Sequence, residues 1–428
     1  MKTAALVAIG DELLSGIRRE TNCSFLARLL HDAGWEVRRA ELVPDELSCV
    51  EDALNRWVGK VDMLVMSGGL GPTHDDKTRF AVAQYLKCEL ALDDTQYNRV
   101  LSRYDAYIRE LLEKTRDMQA LIPVSAKSVY NPAGSALGIF FERSGTKVWV
   151  FPGVPFEYKA MVRQEISSLI TSSRDGLYCW KSVAIVDVPE SLVVARVPEL
   201  VADERLHISI LPSFGLVEFV IRGEKSLVEA SIRVMYERFE REILPVGCVT
   251  LSEAILRQGK DKNLTISFAE SCTGGLLGAN LTDLPGSSSV FIGSAVVYSN
   301  EAKKRVLGVS DDILRTFGAV SKECVEAMAK GALALYDTSI SVAVTGIAGP
   351  DGGSEEKPVG TVWFAVAFKS PYGDKTECES FTRNLGGGYG TDVKRSDSQD
   401  PDRRALIRER TVRVALTAAW EKIASLMV

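Results

Sequence analysis

Histidine is nearly missing from this chain. Of 428 residues only three are histidine, His31, His74 and His207, and none follows residue 207. Hydrolytic chemistry in the second half must therefore run without an intrachain histidine base. No stretch approaches the roughly 20 apolar residues of a membrane span, so no span is predicted. Positive charge is not in excess: 51 Lys plus Arg stand against 57 Asp plus Glu, a net −6. That balance argues against a surface built to coat nucleic acid and leaves room for a local basic pocket. The eight cysteines (Cys23, Cys49, Cys88, Cys179, Cys248, Cys272, Cys324 and Cys378) include no C-x-x-C pair. Scattered in this way they fit neither a zinc cluster nor a disulfide scaffold, and a reducing cytoplasm is the expected home. The first residues, MKTAALVAIGDELL, show no signal-peptide cleavage pattern and read as a first strand. No internal repeat of about 20–50 residues is visible.

What is present is an ordinary globular composition, 46% hydrophobic and 25% charged. At about 150 residues per domain the length allows roughly three domains. The first 165 residues alternate strands and helices: strand 3–9, helix 21–33, strand 35–43, helix 46–58, strand 61–66. That order implies a mostly parallel sheet with helices on both faces. Tyr97, Val100, Leu101, Tyr104, Ile108, Leu111 and Leu112 follow the helical period, predicting one long helix over 94–115. A linker is read at TSSRDGL (171–177), and a second boundary near Pro245-Val246-Gly247. The chain is thus divided into 1–170, a small α+β module over 171–246, and 247–428. Beyond 250 the α/β alternation returns, interrupted by a Gly/Asp-rich loop over 386–402.

The chemistry of the last third begins where strand 264–269 runs into Glu270-Ser271-Cys272-Thr273-Gly274-Gly275 and then a helix. Such a turn presents backbone N–H groups and a positive dipole end to an anion or oxyanion, and its glycines admit close approach. By itself it reads more readily as a plain helix cap. Two further strand ends tilt the balance: Tyr298-Ser299-Asn300 with Lys303 in the following turn, and Thr345-Gly346-Ile347-Ala348-Gly349-Pro350. In a parallel sheet these ends share one edge, so Ser271, Tyr298, Lys303 and Thr345 converge. Without histidine, a serine nucleophile here needs a lysine or tyrosine base, and lysine serves only if its pKa falls from about 10.4 toward neutrality. Arg403, Arg404 and Arg408 open the last helix and would suit a phosphate.

In the first half, IGDELLSG (9–16), ETN (20–22), SGGLGPTHDDKT (67–78), NPAGSALG (131–138) and FPGVPFEYKAM (151–161) fall at strand ends or turns. The run Gly68-Gly69-Leu70-Gly71-Pro72-Thr73 is a Gly-rich turn suited to cradling phosphate. Asp75 and Asp76 beside it suggest a divalent cation, or equally the cap of a helix over 77–87.

The residues 269–309, AESCTGGLLGANLTDLPGSSSVFIGSAVVYSNEAKKRVLGV, with TGIAGPDGG (345–353), closely resemble the C-terminal domain of the CinA family. The resemblance implies deamidation of nicotinamide mononucleotide to nicotinate mononucleotide and ammonia, in pyridine-nucleotide salvage, with no cofactor. It implies Ser271 as nucleophile, Lys303 and Tyr298 as proton carriers and Thr345 as an assisting residue. Substrate contacts would come from Thr273, Gly274, Gly275, Gly346, Gly349 and Arg404. The N-terminal motifs resemble the molybdopterin-binding fold that full-length members carry. There the resemblance implies metal-dependent ADP-ribose pyrophosphatase activity, with Asp11, Glu12, Gly68, Gly69, Thr73 and a divalent metal at Asp75 and Asp76. A non-catalytic nucleotide- or pterin-binding scaffold is the alternative. Glu20 stands where the family commonly has Asp, and loop 386–402 looks longer than usual. The middle module resembles the family's KH-like insert but has no G-x-x-G loop, so it reads as a spacer rather than an RNA clamp. The expected architecture is two α/β sandwich domains joined by that module. A homodimer acting on small nucleotides is expected, without nucleic-acid or membrane partners.

Overall fold

The structure, a computed structural model, describes residues 2–171, 178–369, 375–387 and 402–426. The chain forms two compact units, Met1–Trp180 and Lys181–Val428. The linker residues 172–177 and the loop residues 388–401 lie outside the described residues.

The first unit is built on a six-stranded mixed sheet. Its order is Glu36–Val43, Thr3–Ile9, Met63–Ser67, Thr146–Phe151, Gly138–Arg143, Lys127–Val129. The first four strands run parallel and the last two antiparallel. Thr3–Ile9 is buried along its whole length because side chains alternate between two covered faces. Ala5, Val7 and Ile9 enter one core, and Ala4, Leu6 and Ala8 enter the other. Helix 94–115 is not continuous: Asp94–Leu101 ends and Ala106–Glu113 begins anew. The break follows from Asp105, whose carboxylate accepts the Ile108 N–H at 2.9 Å and caps the second helix.

In the second unit, a three-stranded sheet in the order His207–Ser213, Leu216–Glu224, Tyr178–Val186 accompanies a five-stranded one. The boundary read near 245–247 separates two sheets that share a core: Ala184, Val186 and Leu216 pack with Ile255, Phe268 and Trp420. The larger sheet runs Phe291–Val296, Ile266–Glu270, Ile340–Gly346, Thr361–Lys369, Thr376–Asn384. Its first three strands are parallel and the last two antiparallel. Leu251–Asp261 and Arg403–Ser425 contribute to the core on one face, and Lys322–Tyr336 to that on the other. Ile266–Glu270 is the second strand and wholly buried, so its carboxyl end opens on the crevice where ligands bind in such sheets. Among the described residues no helix is long and apolar enough to cross a membrane.

Candidate active site

Three parallel strands deliver the site to one sheet edge. Ser271 follows Ile266–Glu270 directly, and its N–H extends the ladder to Val344 O at 3.1 Å. One strand over, the chain leaves Phe291–Val296 through Val297 and Tyr298 and enters helix Asn300–Leu307. Ser299 caps that helix by accepting the Ala302 N–H at 3.1 Å, which turns Lys303 inward. The Lys303 Nζ reaches Ser271 Oγ at 3.0 Å, Val297 O at 2.8 Å and Tyr298 O at 3.2 Å. Lys303 is 1% exposed, and no carboxylate pairs with it among the described ion pairs. Burial therefore pulls its pKa below the usual lysine value, opposed only by the thiols of Cys324 and Cys272. Burial likewise raises both thiols, Cys272 to about 11, so at neutral pH they supply no counter-charge.

This geometry accommodates both forms of the amine. Two carbonyls can only accept, and they take two N–H groups. Toward Ser271 Oγ the charged form donates its third N–H, whereas in the neutral form the lone pair would face that hydroxyl.

The turn after Ser271 departs from the expected anion cradle. Gly274 and Gly275 adopt φ of +60° and +99°, a backbone region open to glycine, which delays the helix to Leu276. The N–H groups at its far end are already engaged: the Glu270 carboxylate accepts from Gly275, Leu277 and Gly278 at 2.9, 3.1 and 3.0 Å. Arg408, read from sequence as a phosphate ligand, donates instead to Cys272 O at 3.1 Å and Thr273 O at 2.8 Å. Thr273 is fully buried and its hydroxyl has no hydrogen-bond partner among the described residues.

The remaining predicted residues lie around this pair with unequal roles. Tyr298 meets Lys303 through its backbone carbonyl, whereas its ring is 62% exposed and its phenol oxygen accepts from Arg404 at 3.0 Å. Arg404 also donates to Gly349 O. The Thr345 hydroxyl is buried and donates to Ala319 O at 2.8 Å, so it makes no hydrogen bond to Ser271. At Gly346 a side chain would collide with Thr361 O and Val362, at 2.8 and 2.7 Å, so close strand packing accounts for this glycine. The sequence alone points to no role for Glu270 or Cys324. The signal for Glu270 is a lone carboxylate ending a strand whose every residue is buried.

The N-terminal motifs also meet at one sheet edge. A side chain on Gly68 would sit 2.1 Å from Ile9 O, and one on Gly69 2.0 Å from Thr78 Oγ1. These glycines are explained by packing of the turn. Asp76 folds back on the same turn and accepts from Gly71 N at 2.8 Å, Thr73 N at 2.9 Å and Thr73 Oγ1 at 2.5 Å. Buried Arg79 braces it from below through Leu70 O and Gly71 O, at 2.7 and 3.2 Å. Asp75 is exposed, and a hydrogen bond from Thr73 lowers its pKa. Asp45 lies near Asp11, Glu12 and Asp76, with its own pKa raised first by burial and then by those charges. Glu20 accepts the Cys23 N–H at 2.6 Å, a local cap on the helix from Asn22. Among the described residues no three His, Cys, Asp or Glu side chains are grouped to hold a metal. With Asp76 bound to its own loop and Asp75 in solvent, the pair does not fit a metal centre as arranged.

Fold and site together define a protein of two mixed α/β units, the second carrying a buried serine–lysine pair at its sheet edge. Residues 249–386 match the family model described as the CinA C-terminal domain, and residues 5–172 match the probable molybdopterin binding domain. A CinA-like protein of Pseudothermotoga lettingae is 35% identical over 377 residues, covering 86% of this chain and 91% of that relative. One from Fervidobacterium nodosum is 35% identical over 415 residues, covering 95% and 99%. A crystal structure of a competence/damage-inducible protein from Agrobacterium tumefaciens is 42% identical, spanning 39% of this chain and 90% of that one, with TM-score 0.33. The chain belongs to the CinA family.

Proposed function

We propose that the second unit is a serine–lysine amidohydrolase that deamidates nicotinamide mononucleotide to nicotinate mononucleotide and ammonia. The observation that carries this reading is the 3.0 Å contact between Ser271 Oγ and a buried Lys303 amine that has no carboxylate partner among the described residues. Ser271 Oγ attacks the carboxamide carbon while its proton passes to Lys303 Nζ. The carbon–nitrogen bond then breaks, Lys303 returns the proton to the departing amide nitrogen, and ammonia leaves a nicotinoyl ester on Ser271. Water attacks that ester, again giving its proton to Lys303, and Ser271 leaves with the proton restored. Arg404, at the rim beside Tyr298, suits the nucleotide phosphate. Ammonia release from nicotinamide mononucleotide tests the proposal. A folded wild type that releases none, or a Ser271→Ala variant that releases it at the wild-type rate, overturns it. The homodimer and cytoplasmic setting implied by the resemblance belong to the same proposal, and sedimentation at micromolar concentration tests the dimer.

For the first unit the supported reading is a nucleotide- or pterin-binding domain. What favours binding over metal-dependent cleavage is the engagement of Asp76 with its own loop. ADP-ribose hydrolysis assayed with magnesium, manganese and cobalt discriminates the two. Cleavage that disappears when Asp75 and Asp76 are both changed to Asn would restore the pyrophosphatase.

A further inference from the structure

Glu270 is 0% exposed, yet among the described ion pairs none includes it. Its charge is met by four hydrogen bonds instead: Oε2 accepts from Gly275 N and Leu277 N, and Oε1 from Gly278 N at 3.0 Å and Ser294 Oγ at 2.6 Å. An unpaired carboxylate is costly to bury unless its lone pairs are filled, and here they are. A helix start does not require this arrangement. A short polar side chain at the cap position is the common solution, whereas Gly275 occupies that position with no side chain to contribute.

We infer that Glu270 is a positioning residue for the nucleophile, an inference that rests on the Ser271 reading above. Its side chain and backbone hold both members of the reacting pair. On the serine side, Glu270 precedes Ser271 in the chain, and its carboxylate ties down the turn that follows. On the lysine side, Glu270 O accepts the Val297 N–H at 2.8 Å, and Val297 O accepts from Lys303 Nζ, also at 2.8 Å. Ser294, bonded to the carboxylate, stands on the strand that leads to Val297. One residue thereby sets the Ser271 turn against the carbonyl that orients the base. The same contacts close the start of helix Leu276–Thr282 to other anions, which leaves the substrate's charge to groups elsewhere on the rim.

The test uses the intact chain and a fluorophosphonate probe that phosphonylates an activated serine hydroxyl with loss of fluoride, so no natural substrate need be known. The rate of label appearing on the Ser271 peptide is measured well below the unfolding midpoint and normalised to folded protein. Glu270→Gln keeps the shape, but its amide nitrogen cannot accept from a backbone N–H. Labelling is expected to fall by roughly tenfold to a hundredfold, the scale of a misplacement near 1 Å. Glu270→Ala is expected to label more slowly still and to be partly rescued by sodium formate, but not by sodium chloride of equal ionic strength. A residue that only stabilised the fold would lower the unfolding midpoint and leave the normalised rate unchanged. That result in Glu270→Gln overturns the inference alone. A wild type that takes no label on Ser271 overturns the nucleophile reading and this inference with it. Should Glu270→Ala fail to fold, Glu270→Gln decides the matter.

Discussion

The Lys303 amine stands 3.0 Å from the Ser271 hydroxyl, while its other two contacts are the backbone carbonyls of Val297 and Tyr298. Nothing in that shell carries a negative charge, and the fold thereby favours the form of lysine that can accept a proton. The tests that follow bear mainly on this relationship.

Lys303→Met is expected to lower kcat for ammonia release by about 10²–10⁴, the usual contribution of a general base. Lys303→Arg should not restore it, because guanidinium stays charged and cannot accept the Ser271 proton. Recovery of more than a tenth of the activity with arginine would contradict the base assignment.

The lowered pKa of Lys303 fixes the sign of two pH effects. Activity should rise as pH climbs through the folded-state value, since the neutral amine is the working form. Stability should also rise relative to Lys303→Met between that value and about 10.4, because there the unfolded chain binds the proton and the folded one does not. Denaturant midpoints of the two proteins across alkaline pH check the second effect. A wild type that loses stability relative to the variant over that window would refute it.

Tyr298→Phe removes the phenol that accepts from Arg404 and spares the carbonyl that accepts from Lys303. The expected result is a raised KM with kcat reduced by less than about tenfold, the pattern of lost binding rather than lost chemistry. A collapse of kcat as large as that of Lys303→Met would show that the phenol itself moves protons.

Asp76→Asn is expected to destabilise the first unit by about 1–2 kcal/mol, through loss of charge-assisted bonds to Gly71 and Thr73. Exposed Asp75→Asn should stay within about 0.5 kcal/mol. Urea titrations with magnesium and with a chelator should give the same difference. A loss that appears only with magnesium would make Asp76 a ligand.

Much of the site was legible because strand ends in a parallel sheet share an edge, and Ser271, Tyr298, Lys303 and Thr345 each follow or end an apolar run. The directions of their side chains were not legible. Tyr298 and Thr345 carry hydroxyls that sequence reasoning assigns to catalysis, yet one meets Arg404 and the other Ala319, a partner on the approach to a different helix. The long helix over 94–115 failed for a local reason: the apolar period continues across Ser102–Asp105 while Asp105 prefers to cap.

The sequence by itself determined the strand–helix alternation of the two α/β halves and a candidate serine in a region without histidine, because periodicity and residue chemistry are local properties. Only the tertiary structure decided the surroundings of Lys303. Its pKa is lowered by burial, against thiols from a distant helix and from the turn, while two carbonyls from the neighbouring strand's exit hold the amine in place. The same holds for the N–H groups of Gly275, Leu277 and Gly278, a potential anion site in sequence and a filled one in space, because Glu270 reaches them from within the sheet.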